Sequence, residues 1–407
     1  MSSLEHRFAK LDIRQAPGQE VRLADSGPDK FRGEFLPGVP VDFSHGDVDE
    51  TAFPPAPGAL DEFIAGVGLG GSQAYTEYRG RSDIRRQLAE KLAAFTRRAI
   101  SAEDQLIITP GTQGALFLAM GATVSAGDRV AIIRPDYFAN RRIAEFLGAE
   151  IVPVRLDYLN RTEGAGLDLD NLENVFKSGV KTFLFSNPNN PTGVVFLPTE
   201  IATIGELAVR YGVTVIVDEL YSRLVYSGQT YTHLRAVVTD PDLVLTIMGP
   251  SKMESLSGYR LGVAFGPAHL IDRMEKLQAI VSLRAAGYSQ SVLRTWFEEP
   301  PGWLEERIAK HQAIRDDLLE IFKSVPGVEV RTPEAGSYLF PRLPALDVPL
   351  SHFVSALRVQ ASVIVTPGTE FSPDATDSIR LNFSQNHHAA VNAVERIVEM
   401  IQHYRTA

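Results

Sequence analysis

Residues 182–193 read TFLFSNPNNPTG, residues 213–221 read VTVIVDELY and residues 243–252 read LVLTIMGPSK. Each opens on a short, nearly continuous apolar run and ends in polar residues. A run of that length without alternation is what a strand covered on both faces requires. The same unit recurs at QLII (105–108), RVAII (129–133), EIVPV (150–154) and LGVAF (261–265). Segments of helical spacing lie between the runs. One is 83–95, which places Ile84, Leu88, Leu92 and Phe95 on one face. The alternation predicts an α/β fold whose large domain is a mostly parallel, seven-stranded sheet flanked by helices.

The pattern changes after EEPPGW (298–303). A charged helical segment, LEERIAKHQAIRDDLLEIF (304–322), is followed by short strand candidates VEVR, SYLF, VIV and SIRLNF. A last helix carries Val391, Val394, Val398 and Ile401 at heptad spacing. These predict a smaller α+β domain. The turn-rich first 55 residues are expected to pack back against it. The division expected is an N-terminal segment 1–55 belonging to the small domain, a large domain 56–297 and a C-terminal part 298–407.

The chain has 407 residues, 44% apolar and 22% charged, which are ordinary globular proportions and exclude a disordered or fibrous architecture. Its net charge of −10 comes without a basic stripe, against nucleic acid or an anionic membrane as partner. The absence of cysteine removes disulfides, thiolate metal sites and thiol nucleophiles, and fits a cytoplasmic protein. No apolar stretch approaches the ~18 residues of a membrane span. The opening MSSLEHRFAKLDIRQ lacks the apolar core of a secretory signal. Gly66, Gly68 and Gly71 spell GxGxxG but follow a helical pattern, so the strand–turn–helix context of a dinucleotide site is missing. His387 and His388 are adjacent and cannot share a helix face, so they read as helix-start residues and no metal is expected. Asn160-Arg161-Thr162 matches a glycosylation acceptor, with nothing else suggesting secretion.

In an open parallel sheet, ligands bind beyond the carboxyl ends of the strands. Five runs lead there into TPGTQG (109–114), RPDYF (134–138), SNPNNPTG (186–193), DELY (218–221) and MGPSK (248–252). Together they offer a glycine-rich anion loop, an aromatic ring, an asparagine turn, a carboxylate with a tyrosine, and a lysine. That inventory suits a small aromatic cofactor carrying a phosphate and an aldehyde. Each piece also has a plain reading. Asp218 could cap a following helix, SNPNNPTG could be only a tight turn, and Lys252 only a surface lysine. The five plain readings are hard to hold jointly.

SNPNNPTG, VDELYSRLVY, GPSKMESLSGYRLG and SIRLNFS, in this order and spacing, resemble the class I/II aminotransferases, pyridoxal phosphate enzymes of fold type I. The likeness runs from about Val41 to the C-terminus. The lysine segment fits the family signature except at Pro250, and Gly249 replaces a frequent serine. The resemblance implies pyridoxal 5′-phosphate as cofactor, a homodimer, and transfer of an amino group between an L-amino acid and a 2-oxo acid. It implies that Lys252 forms the Schiff base and shuttles the substrate Cα proton, and that Asp218 keeps the pyridine nitrogen protonated. Asn190 and Tyr221 would hold the ring oxygen, and Tyr137 would stack on the ring. Gly111, Thr112, Gln113, Ser251 and Arg260 would hold the phosphate, joined by Tyr75 from the neighbouring subunit. Arg380 would clamp the substrate carboxylate with Gly46 and Asn190. Arg284 would select an acidic side chain, or be an ordinary surface or interface arginine. The same fold also carries β-lyases, racemases, decarboxylases and oxygen-dependent arginine oxidases. It serves as a ligand sensor in some transcription regulators, which add a DNA-binding module not seen here.

Overall fold

The computed structural model describes residues 3–9, 11, 31–71, 73–159 and 164–406; the acceptor motif at 160–162 lies outside the described residues. After a two-residue strand β1 (Val41–Asp42) come the seven strands of the main sheet. They are β2 (Leu106–Pro110), β3 (Arg129–Arg134), β4 (Glu150–Arg155), β5 (Thr182–Ser186), β6 (Thr214–Asp218), β7 (Val244–Met248) and β8 (Leu261–Phe265). Their order is β2-β8-β7-β6-β5-β3-β4. Only β8 is reversed, antiparallel to both β2 and β7. Two reversals cancel, so β2 points the same way as β3 to β7 and its loop opens on the same edge.

The continuous apolar runs follow from burial on both faces. Phe183 and Phe185 of β5 join Val215 and Val217 of β6 in one core. Leu184 and Ile216, one residue out of phase, join Ile107, Ile132 and Ile247 in another. Each large side chain so buried contributes about 1.5–3 kcal/mol. The helix expected at 83–95 spans Ser82–Thr96 and buries Ile84, Leu88 and Leu92, while Phe95 is half-buried.

The C-terminal part packs helices Trp303–Lys323, Leu350–Ala361 and His387–Tyr404 around short strands β9 (Tyr338–Leu339), β10 (Val363–Ile364), β11 (Thr366–Pro367) and β12 (Ile379–Asn382). β12 lies between β11 and β9. The segment β1 pairs parallel with β10, and Val41, Phe43 and Phe53 enter the same core as the C-terminal helices. Helix Ser3–Ala9 lies elsewhere, with Phe8 edge-on to Phe146 of the sheet-covering helix Phe138–Phe146.

Two expectations change. VEVR (328–331) does not form a strand; Glu329 makes a single bridge to Arg342, and Arg331 turns to Glu334 and the Gly164 carbonyl. The last helix buries Ala390, Ala393, Val394, Ile397, Met400, Ile401 and Tyr404, so Val391 and Val398 only flank its stripe. The drift arises because a straight helix repeats every 3.6 residues rather than 3.5. The GxGxxG glycines follow helix Ala59–Gly66, without a strand before them. Among the described residues no helix is long and apolar enough to cross a membrane.

Candidate active site

The five loops meet as the strand directions require. A cavity of ≈ 230 Å³ is lined by Thr112, Gln113, Tyr137, Asn190, Asp218, Tyr221, Ser251, Lys252 and Arg260 from the sheet side. Gly46, Tyr338 and Arg380 close it from the other side. A wider groove of ≈ 760 Å³ along Arg134, Arg155 and Arg342 gathers none of Lys252, Asp218 or Arg380, so volume alone does not single out the reactive site.

One wall is an anion cradle. Gly111 (φ +77°) turns β2 into helix Gly111–Thr123, which has no side-chain cap. The N–H groups of its first turn therefore lack intrahelical partners and carry the positive end of the helix dipole. Strand β8 passes so close that a Cβ on Gly262 would sit 2.4 Å from Thr112 N. Gly249 has a similar cause: a Cβ there would lie 2.7 Å from Thr112 Cγ2. The Arg260 guanidinium stands beside Gly111 and donates to Ser257 O at 3.1 Å.

Asp218 ends β6 deep in the pocket. Burial pushes its carboxyl up to about 6; Glu219 adds to this, against the Leu220 N–H and the Lys252 charge. Leu220 N donates to Asp218 Oδ1 at 3.1 Å, closing a turn. No helix starts there, the next being Leu234–Val237, so the helix-cap reading of Asp218 fails. Lys252 Nζ donates to Gly46 O at 2.7 Å and has no carboxylate partner among the described residues. Tyr137 immediately precedes the helix beginning at Phe138, and its hydroxyl donates to Gln113 Oε1 at 2.9 Å.

The turn 186–193 is a bonded scaffold. Ser186 N donates to Asp136 Oδ2 at 3.0 Å, and Asn190 N donates to Ser186 Oγ at 3.1 Å. Burial pushes Asp136 up to about 7 despite its hydrogen bonds with Ser186 and Tyr137. The turn presents Asn190 Oδ1 to Arg380 Nη1 at 3.1 Å. Arg380 is 1% exposed, and its other contacts are Ser44 O at 2.6 Å, Thr366 Oγ1 at 3.4 Å and the Tyr338 and Phe371 rings. Its Nε has no partner, and no carboxylate neutralises it among the described residues. A buried guanidinium without an acid is costly unless an anion arrives.

Two expected site residues lie outside this cavity. Tyr75 is 78% exposed, and Arg284 is held between the Tyr75 and Tyr78 rings at 4.4 and 4.5 Å. Ile280, Val281 and Leu283 are exposed alongside. Asp136, Ser186 and Tyr338 were not singled out from the sequence. The first two sit inside quoted loops, at polar strand ends. The signal for Tyr338 is its strand pairing beside Arg380, which one sequence does not display.

The pocket fits a flat, phosphate-bearing aromatic group with an aldehyde. It has an uncapped helix end for the phosphate, an aromatic wall, a buried acid for a ring nitrogen and an amine for the carbonyl. The sequence pattern of the class I and II aminotransferases matches residues 41–397. An aspartate aminotransferase from Sulfolobus acidocaldarius is 30% identical over 82% of this chain and 83% of its own. The crystal structure of an aspartate aminotransferase from Rhodobacter sphaeroides superposes with a TM-score of 0.94 at 61% identity, covering 99% of this chain and 100% of that one. An arginine–pyruvate transaminase from Pseudomonas aeruginosa is 25% identical over 87% of this chain and 88% of its own.

Proposed function

Because the chain belongs to the class I and II aminotransferases and is a pyridoxal phosphate-dependent aminotransferase, we propose that its amino donor is aspartate and that the pocket residues divide the work as follows. When bound, pyridoxal phosphate supplies an aldehyde that captures an amine and a ring that accepts electrons from Cα. Lys252 would anchor the aldehyde and, once released by the incoming amine, would carry the proton from the substrate Cα. Its only described hydrogen bond, to Gly46 O, is readily exchanged. Asp218 would keep the ring nitrogen protonated, the pairing that an ionised carboxylate favours. Tyr221 and Asn190 hold the ring oxygen, and the Tyr137 ring packs on one face. Thr112, Gln113, Ser251 and Arg260 hold the phosphate around Gly111. Arg380, with Asn190 and the Gly46 backbone, orients the α-carboxylate. The observation that carries the reading is the buried Arg380 guanidinium, lacking an acid partner and opening on the cavity with Lys252.

The active unit proposed is a cytoplasmic homodimer. Tyr75, Tyr78, Ile280, Val281 and Leu283 expose an apolar face unsuited to a monomer surface. Packing two copies there would carry Tyr75 to the partner's phosphate site and Arg284 to the distal carboxylate of its substrate. The aspartate aminotransferase named on the 61% identical neighbour supports the acidic substrate. The division of residues 31–55 with 298–407 against 56–297 is proposed as two movable bodies, and helix Ser3–Ala9 lies against helix Phe138–Phe146 of the second. The test is kcat/KM for aspartate, alanine, phenylalanine and arginine with 2-oxoglutarate, and for glutamate with oxaloacetate, in the wild type and Arg284→Leu. Aspartate is expected to lead and to lose roughly one to two decades selectively in the variant. Arginine or an apolar amino acid leading, or equal loss on all donors, would overturn the substrate assignment.

A further inference from the structure

We propose that Tyr338 is a positioning residue with two ends: its ring supports Arg380, and its hydroxyl orients Tyr221. The inference rests on the reading of the pocket given above. Tyr338 lies on β9 directly opposite Asn382 of β12. Arg380 is two residues from Asn382, so it projects from the same face and reaches Tyr338 on the diagonal. The result is a guanidinium 4.4 Å from the Tyr338 ring centroid. Both side chains are almost fully buried, so the cation–ring contact is desolvated, the condition in which it is strongest.

The hydroxyl points the other way, out of the C-terminal layer and into the sheet body. Tyr338 Oη is 2.5 Å from Tyr221 Oη, and the rings meet edge to face at 5.3 Å. A Cβ placed on Gly46 would lie 3.2 Å from Tyr338 Oη and 2.5 Å from Lys252 Nζ, so tyrosine and lysine converge over that glycine. One of the two hydroxyls must donate to the other. The charged and titratable groups around Tyr221 are Tyr338, Arg380 and Asp218, with Lys252 across the same cavity. Among the described residues Tyr338 Oη has no acceptor besides Tyr221. Donation from Tyr338 to Tyr221 leaves the proton of Tyr221 free for the ring oxygen of the cofactor. A chain of two hydroxyls polarises along its length and strengthens that last donation. Tyr338 thereby ties the carboxylate clamp, carried by the C-terminal layer, to the cofactor contact, carried by the sheet.

The test uses holoenzyme of the wild type, Tyr338→Phe and Tyr338→Leu. One readout is the pH at which the absorbance of the bound cofactor changes; the other is the split between KM and kcat for aspartate. Tyr338→Phe removes only the hydroxyl. It should move the absorbance midpoint upward by up to about half a pH unit, because a weaker donor leaves the negative ring oxygen less stabilised when no proton neighbours it. Its KM should stay within about twofold, since the ring remains. Tyr338→Leu should also raise KM about tenfold by removing the ring beneath Arg380. A core-filling role would lower the melting temperature and leave the midpoint fixed. An unmoved or downward midpoint in Tyr338→Phe overturns the proposal, as does an unchanged KM in a folded Tyr338→Leu. A wild type that shows no pH-dependent cofactor band would overturn the function reading as well; a normal wild-type band with an indifferent Tyr338→Phe sinks this inference alone.

Discussion

Replacing Asp218 by Asn should stabilise the cofactor-free protein at neutral pH while damaging the loaded enzyme. The carboxyl is pushed from 3.8 to about 6 by burial. A carboxyl whose folded value is raised favours the protonated form in the fold. Its contribution is present below the unfolded value near 4 and is lost as pH climbs through 6. The shift of about two units corresponds to a penalty of roughly 3 kcal/mol at pH 8. Asn is isosteric, cannot ionise and can still accept from Leu220 N. For a chain of this size, roughly 3 kcal/mol corresponds to about 3–4 °C in melting temperature. The assay is thermal melting of apo wild type and Asp218→Asn at several pH values between 4 and 8. The curves should nearly coincide at pH 4, and the variant should melt higher at pH 8. Asp136 titrates in the same region and is itself pushed up in part by the Asp218 charge, so Asp218→Asn also relieves Asp136 and adds to the difference in the same direction. Pyridoxal phosphate should reverse the order, because the charge that strains the empty pocket then pairs with the ring nitrogen. A difference flat within about 1 °C across the range would refute the assignment of Asp218 as a buried, strained acid.

Arg380→Leu should lower kcat/KM for aspartate by about two to four decades, the loss of two charge-assisted hydrogen bonds to the α-carboxylate, while cofactor binding survives; a loss under tenfold by steady-state kinetics would place the clamp elsewhere. Borohydride reduction and peptide mapping should put the pyridoxyl label on Lys252, within GPSKMESLSGYR, and a label on another lysine would displace it from the centre. Mixing Tyr75→Phe protomers with Lys252→Ala protomers tests sharing of sites across subunits. Hybrids should contain one site lacking both side chains and one intact site, with activity regained on mixing; no recovery would mean that Tyr75 acts within its own subunit.

The sheet was legible because burial on both faces leaves little freedom in composition: Phe183 and Phe185 serve one core, Leu184 the other. The apolar runs stop short of the strand ends for a functional reason. β5 and β6 extend one residue further, to Ser186 and Asp218, since the backbone ladder continues after apolar demand has ended. LGVAF reads like its neighbours yet runs antiparallel, because hydrophobicity carries no direction. VEVR alternates like a strand but finds no ladder beyond one bridge. The loop residues of the pocket were legible through their position after apolar runs. Tyr338 was hidden because its role exists only through its register with β12 and its contact with Tyr221.

That difference follows from how the cavity is assembled. Lys252, Asp218, Asn190 and Tyr137 stand on one rigid edge of the sheet, each fixed by the strand before it. Gly46, Tyr338 and Arg380 arrive from the other body, joined through the β1–β10 pair and the β11-β12-β9 sheet. On the proposed assignment the sheet edge would provide most cofactor contacts and the reactive amine. The other body would provide the carboxylate clamp, and the two meet through Arg380 with Asn190, Lys252 with Gly46, and Tyr338 with Tyr221. A displacement of one body of even 1 Å would stretch all three contacts together, since each hydrogen bond weakens steeply beyond its short range. On the proposed assignment, recognition of the amino acid at Arg380 and placement of Lys252 against its Cα would depend on the same set of contacts, and Tyr338→Leu should alter both.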